Sequence, residues 1–305
     1  MTYNFLTVDP ITPEAIAAAL AKHLGVAVSE VDVADTDGDP DDRNWDALVS
    51  CEYSAVLGDV NLSLDIYAQD AVAHQPTERR LAAAFASATQ TAVLFPAEES
   101  PPSAYWLATP EGVVTRARLL ASDDEQPVYT VDAIEAPVPQ LPNAALTRIP
   151  EVVREARIAT PTADAFANAL ASLRQLPSGS PDPALSEEPG SPAWHACTRL
   201  GSWEMLIRQM AAQWAPSDWY PQDLYRHRLA SRDGLAELLA KPHDRLPKNA
   251  ANLLQDSLEQ LDRLFIELTI EDPEHLLAQQ LAVPGEDPGA HDWWWYRHPD
   301  PLPWS

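Results

Sequence analysis

Leu254, Leu258, Leu261, Phe265 and Leu268 follow one another at steps of four, three, four and three. That spacing keeps five large apolar side chains on one helical face, and it predicts a helix over residues 247–269. Leu253 and Leu264 widen the stripe, while Asp256, Glu259, Asp262 and Arg263 point elsewhere. Burying the five is worth roughly 1.5–3 kcal/mol each before conformational entropy is subtracted, so this helix is expected at the centre of an α-helical domain. A second stripe, Trp203, Leu206, Ile207, Met210 and Trp214, reads as a core-facing helix with Ser202 as its cap. Leu224 to Ala240 follows, interrupted at Gly234, with Ser231 capping the second section. Asp272-Pro273-Glu274 opens a shorter helix to Ala282.

The N-terminal half alternates instead. After a strand at Phe5–Val8, Thr12-Pro13-Glu14 supplies a cap, a first-turn proline and a carboxylate at the positive end of a helix that Gly25 stops. Val26, Val28, Val31 and Val33 predict an extended segment. Val49, Cys51, Tyr53 and Ala55 alternate, Gly58-Asp59 turns, and Val60, Leu62, Leu64 and Ile66 alternate again, which is a hairpin. Thr77 and Glu78 precede an alanine-rich helix running to about Thr91, and strands follow at Ala104–Thr109, Val113–Leu120 and Val128–Ile134. Helix then three strands, twice, predicts an antiparallel sheet covered on one side by two helices, an α+β fold with a possible tandem repeat. Helical pieces near Glu151–Ala159 and Thr162–Leu176 come next, then a Pro-, Ser- and Gly-rich stretch from Ser178 to Pro192. The expected organisation is an α+β domain over 1–145, a helical connector and linker over 146–192, and an α-helical domain with an extended, tryptophan-rich arm over 193–305.

Charge narrows the function. The 305 residues hold 46 acidic and 20 basic side chains, a net −26. A surface of that sign disfavours nucleic-acid phosphates and anionic membranes, and it speeds encounter with basic partners. Residues 1–150 carry 23 acidic and 7 basic groups, so the first half is the more negative. No leader pattern opens the chain and no 18-residue apolar run occurs. Two cysteines, Cys51 and Cys197, form no disulfide framework, and the expected location is a reducing cytoplasm.

Candidate chemistry is sparse. Asp35, Asp37, Asp39, Asp41 and Asp42, with Asp46 beyond them, resemble a calcium loop, but Pro40 stands where the sixth-position glycine belongs. A solvated acidic loop is the better reading. His195-Ala196-Cys197 offers two zinc-type ligands without a second pair. Arg226-His227-Arg228 is the densest basic spot. Glu52 and Asp65 sit on hairpin strands and are expected to face solvent, and Cys51 is expected to be inert core. No zinc-protease, nucleophile-elbow, phosphate-loop or dinucleotide pattern occurs, and no cofactor is expected. Trp293-Trp294-Trp295-Tyr296 cannot all share one face. The arm either seals the helical domain or presents interface anchors.

The acidic α+β half together with Trp219-Tyr220-Pro221, Arg232-Asp233, Leu261-Asp262-Arg263-Leu264-Phe265 and Trp293-Trp294-Trp295 resembles uncharacterised actinobacterial proteins, some similar to the acidic immunity proteins that neutralise polymorphic toxins. An arginine-to-lysine bias of 17 to 3 fits coding from such a GC-rich genome. The resemblance implies a non-catalytic inhibitor and carries over no site residue. The leading expectation is therefore a protein that binds a basic protein partner, with Asp35, Asp37, Asp39, Asp41, Asp42, Trp293, Trp294, Trp295 and Tyr296 as the contacting residues. The alternatives are an enzyme with a cleft between the halves using His195 or Arg226–Arg228, and a structural or self-assembling protein.

Overall fold

A computed structural model describes residues 1–97, 101, 103–175, 182–240, 246–281 and 291–304. They form two compact units that divide between Ala156 and Arg157, and the fold class is α+β.

The first unit is built on β1 (Thr2–Thr7). Its alternate residues serve two cores. Tyr3 and Phe5 join Cys51, Leu64 and Ile66 under two helices, α1 (Pro13–Leu24) and α2 (Glu78–Thr89), whereas Leu6 faces a second cluster with Leu94, Leu107 and Val131. Helix α1 starts and stops for the reasons its sequence declares. Thr12 accepts from the Ala15 amide at 3.3 Å, and Gly25 adopts φ 71° and donates to the Ala21 carbonyl.

The other strands are β2 (Val31–Asp35), β3 (Val49–Ala55), β4 (Leu57–Gly58), β5 (Leu62–Ala68), β6 (Val93–Pro96), β7 (Ala104–Ala108), β8 (Val114–Ala121), β9 (Val128–Ile134) and β10 (Ala145–Leu146). Their order in the sheet is β10-β9-β8-β7-β6-β1-β5-β3-β2. Strands β3 and β5 form the expected antiparallel hairpin, but β2 lies parallel to β3, which obliges residues 36–48 to cross back between them. Strand β6 was not apparent from the sequence. It is the short apolar run Val93-Leu94-Phe95-Pro96, and through Leu6↔Leu94 and Thr7↔Val93 it joins the second set of strands to β1.

The Gly58-Asp59 turn does more than reverse the chain. Leu57 and Gly58 pair in parallel with Val128 and Tyr129, so β9, near one end of the sheet, meets a strand that follows directly on β3. The Asp59 amide donates to the Tyr129 carbonyl at 2.8 Å, Val131 donates back to the Asp59 carboxylate at 2.8 Å, and Asn61 donates to the Thr7 carbonyl at 2.7 Å. This half of the sheet thus closes into a barrel-like ring around the second cluster. Helix α3 (Pro150–Arg154) ends the unit, its Val152 packed with Ala104, Ala133 and Ile149, and Arg118 bridges Asp132 and Glu151 beside it.

The second unit holds α4 (Pro161–Arg174), α5 (Pro192–Ala211), α6 (Gln222–Ala240), α7 (Lys248–Glu267) and α8 (Leu276–Leu281). Helix α7 buries Leu254, Leu258, Leu261 and Phe265 along the expected face. Helix α5 begins a full three turns before Ser202. Ser191 accepts from the Trp194 amide at 3.1 Å with Pro192 at the first helical position, a stronger start signal, and Ser202 is buried mid-helix. Helix α6 runs unbroken through Gly234. Leu176 of the expected helix, residues 178–181 of the linker-like stretch, and Ala282 lie outside the described residues. From Asp182 onward the stretch is ordered around a single turn of 3₁₀ helix, Pro183–Leu185, that buries Leu185.

Gly58 has φ 112°, and a Cβ there would sit 1.9 Å from the Tyr129 carbonyl oxygen. Gly58→Ala is therefore expected to destabilise the first unit by at least about 2 kcal/mol, measured as a lowered urea midpoint. A variant as stable as wild type would show that the ring does not close in this way.

Candidate functional site

Asp35, the last residue of β2, and Asp37, Asp39, Asp41 and Asp42, in the loop that leads to β3, are all exposed. Their loop is nonetheless held in shape. Asp35 Oδ1 accepts from the Asp37 amide and Asp39 Oδ1 from the Asp41 amide, each at 3.0 Å, turns typical of this residue type. Arg43 then clamps the loop to the sheet, its Nε donating to Asp32 Oδ2 at 2.6 Å and its Nη1 to Glu52 Oε1 at 3.0 Å. The bonds to Asp32 and Glu52 raise the arginine's pKa above its ordinary value. The clamp also relieves a repulsion, because Glu52 stands directly opposite Asp65 in the β3–β5 register.

Beyond Arg43, whose guanidinium carbon lies 5.0 Å from its ring centroid, Trp45 is 70% exposed. Sequence reasoning missed this residue. The available signal was its setting between Asn44 and Asp46, where no apolar neighbour marks it as core. Among the described residues no group of three or more histidine, cysteine, aspartate or glutamate side chains is arranged to hold a metal ion.

The four aromatic residues of the arm have different fates. Trp293–Tyr296 form a turn of 3₁₀ helix, after which β12 (Arg297–His298) pairs with β11 (Ile270–Glu271). Trp294 and Trp295 are buried, and both indole N–H groups donate to the Asp233 carboxylate at 2.8 to 3.0 Å. The neighbouring Arg232 makes a two-pronged bond to Asp262 at 3.0 and 2.7 Å, with its guanidinium carbon 4.1 Å from the centroid of the Trp294 ring. Trp203 adds a third bond to Asp262 at 3.1 Å. Trp293 is 37% exposed against Phe265, and Tyr296 stacks on His275. Trp294 and Trp295 thus seal the helical unit and offer little surface to a partner. Burial raises the Asp233 pKa, partly offset by the two indole bonds.

His195 and Cys197 on α5 and His227 and Arg228 on α6 line one groove within the second unit, together with Arg199. Burial pushes the Cys197 thiol up, with Arg174 only partly countering it, so the thiolate that a nucleophile requires is disfavoured. Cys51 is buried core, its pKa pushed up to about 12 by desolvation. Comparison of the chain with protein-family models, curated proteins and solved structures finds no match in any of the three.

Asp233→Ala is expected to leave two indole donors unpaired and to cost about 1–3 kcal/mol, with red-shifted tryptophan emission as the arm loosens. Asp233→Asn retains an acceptor oxygen and is expected to cost less. Because the folded carboxyl has the higher pKa, the native state holds its proton more tightly. This group's contribution therefore grows as pH falls through the carboxylate range and is lost as pH rises through the folded value. Urea titrations across that range should show wild type gaining on Asp233→Asn as pH falls; parallel curves would contradict the assignment.

Proposed function

We propose that this is a non-catalytic binding protein whose acidic loop between β2 and β3 engages a basic protein partner, with Trp45 as the apolar anchor. The observation that carries the reading is a tryptophan 70% exposed on a loop that Arg43 holds against the sheet, flanked by five exposed aspartates. Tryptophan is the residue type most enriched among interface anchors. A loop already fixed by hydrogen bonds loses less conformational entropy on association than a mobile one. The surrounding carboxylates, in a chain of net charge −26, steer a cationic surface towards the anchor and disfavour anionic competitors. This arrangement fits the resemblance to immunity proteins, and on this reading the partner is a basic toxin or enzyme met in the cytoplasm. Of the four aromatic residues Trp293–Tyr296, Trp293 and Tyr296 keep exposed surface that could contribute, while Trp294 and Trp295 are buried.

The test is affinity capture from the native host at low and high salt, followed by titration of the captured protein. The expected result is a basic partner whose binding weakens with salt and falls at least about tenfold, or 1.4 kcal/mol, in Trp45→Ala. Charge removal with Asp37→Asn, Asp41→Asn and Asp42→Asn together should slow association more than it speeds dissociation. Recovery of no partner at low salt, or a partner indifferent to all these changes, would overturn the reading.

A further inference from the structure

Carboxylates are abundant in this chain, and Arg43, Arg118, Arg208, Arg232 and Arg297 each lie against one. Arg199 and Arg228 do not. Both are half-buried, and among the described residues neither has a carboxylate within 4.0 Å. Arg199 Nη1 donates to the Gly234 carbonyl at 2.7 Å, and Arg228 Nη1 donates to Ser202 Oγ at 3.1 Å. A guanidinium carries five N–H donors, so most of the hydrogen-bonding capacity of each remains open. The Arg228 Nε is buried and has no hydrogen-bond partner among the described residues.

These two arginines line the same groove between α5 and α6, about 630 Å³ in volume, and among the described residues no aspartate or glutamate contributes to its wall. The volume falls within the range of small-molecule sites.

The groove is built to hold its cations. Gly234 gives Arg199 its place, since a Cβ there would come within 2.5 Å of the guanidinium carbon. On the other side the hydroxyls are committed in order. Ser231 donates to the His227 carbonyl at 3.0 Å, which leaves its oxygen to accept from Ser202 at 2.7 Å, and the Ser202 oxygen in turn accepts from Arg228. Arg228 is thereby anchored through Nη1, which leaves Nη2 open to a ligand. Met205, Ala230 and Cys197 supply an apolar wall.

We infer that this groove binds a small phosphate monoester. Two guanidinium forks match the charge and the three oxygens of a phosphate dianion, and the apolar wall would cover a short organic body that inorganic phosphate lacks. This inference is independent of the loop in the first unit.

Calorimetric titration of the full chain with phenyl phosphate, glycerol phosphate and ribose phosphate tests it, with benzoate, phenol and inorganic phosphate as controls. At least one monoester is expected to saturate the protein, binding tighter than inorganic phosphate and benzoate, with no binding of phenol. Affinity should fall at least tenfold in Arg228→Gln and in Arg199→Gln. Gly234→Ala, which displaces the Arg199 guanidinium without removing it, should weaken binding while circular dichroism shows an intact helical unit. No saturable binding by any monoester, a preference for benzoate, or affinity unchanged in Arg199→Gln and Arg228→Gln would each overturn the assignment.

Discussion

Positive charge is the scarce resource of this molecule. Twenty cationic side chains accompany 46 carboxylates, and the arginines stand where elements must be joined against that repulsion. Arg43 fastens the acidic loop to the sheet, Arg118 ties β8 to β9 and α3, and Arg232 couples α6 to α7 and to Trp294 of the arm. Arg297 reaches the carbonyls of Ile266 and Thr269 at the end of α7, where a cation also meets the negative helix terminus. Each of these side chains forms several bonds at once, which lysine could not reproduce with the same geometry. Arg199 and Arg228 serve no such joint: among the described residues neither has a carboxylate partner, and the two share one groove.

Much of the architecture was legible because local rules carried it. Helix α1 has its cap, proline and glycine within the same short stretch, and α7 declares its buried face by spacing alone. What could not be read depended on residues distant in sequence. Thr160 does not cap α4; the buried Glu204 of α5 does so instead, accepting from the amides of Thr162 and Ala163 at 3.1 and 2.8 Å while Arg208 balances its charge. Gly234 looked like a helix breaker because its partner, Arg199, lies 35 residues away. Strand β6 is too short to show alternation, and the parallel placement of β2 is set by the loop that follows it rather than by its own residues.

The sites divide along the same line. The aspartates of the loop were visible as composition, but the clamp that shapes it pairs Arg43 with Asp32 and Glu52 from two different strands, and Trp45 gains meaning only once its exposure is known. Trp294 and Trp295 had an ambiguous reading that Asp233 resolves, since a single half-buried carboxylate that accepts from both indoles turns both inward. His195, Cys197 and Arg226–Arg228 were conspicuous separately. The packing of α5 on α6 brings His195, Cys197, His227 and Arg228 to one groove and adds Arg199, which no motif marked.

The ring closed by Leu57 and Gly58 against β9 also constrains how the first unit is made. Asp59 and Val131 are 72 residues apart, so a ribosome must deliver nearly the whole unit before the last strand can dock. Until then Leu6, Val60 and Leu94 line an open, sticky trough, the kind of surface that recruits chaperones to a nascent chain. The two helix-and-strand segments, however alike in order, are therefore not modules that could be expressed, swapped or duplicated one at a time.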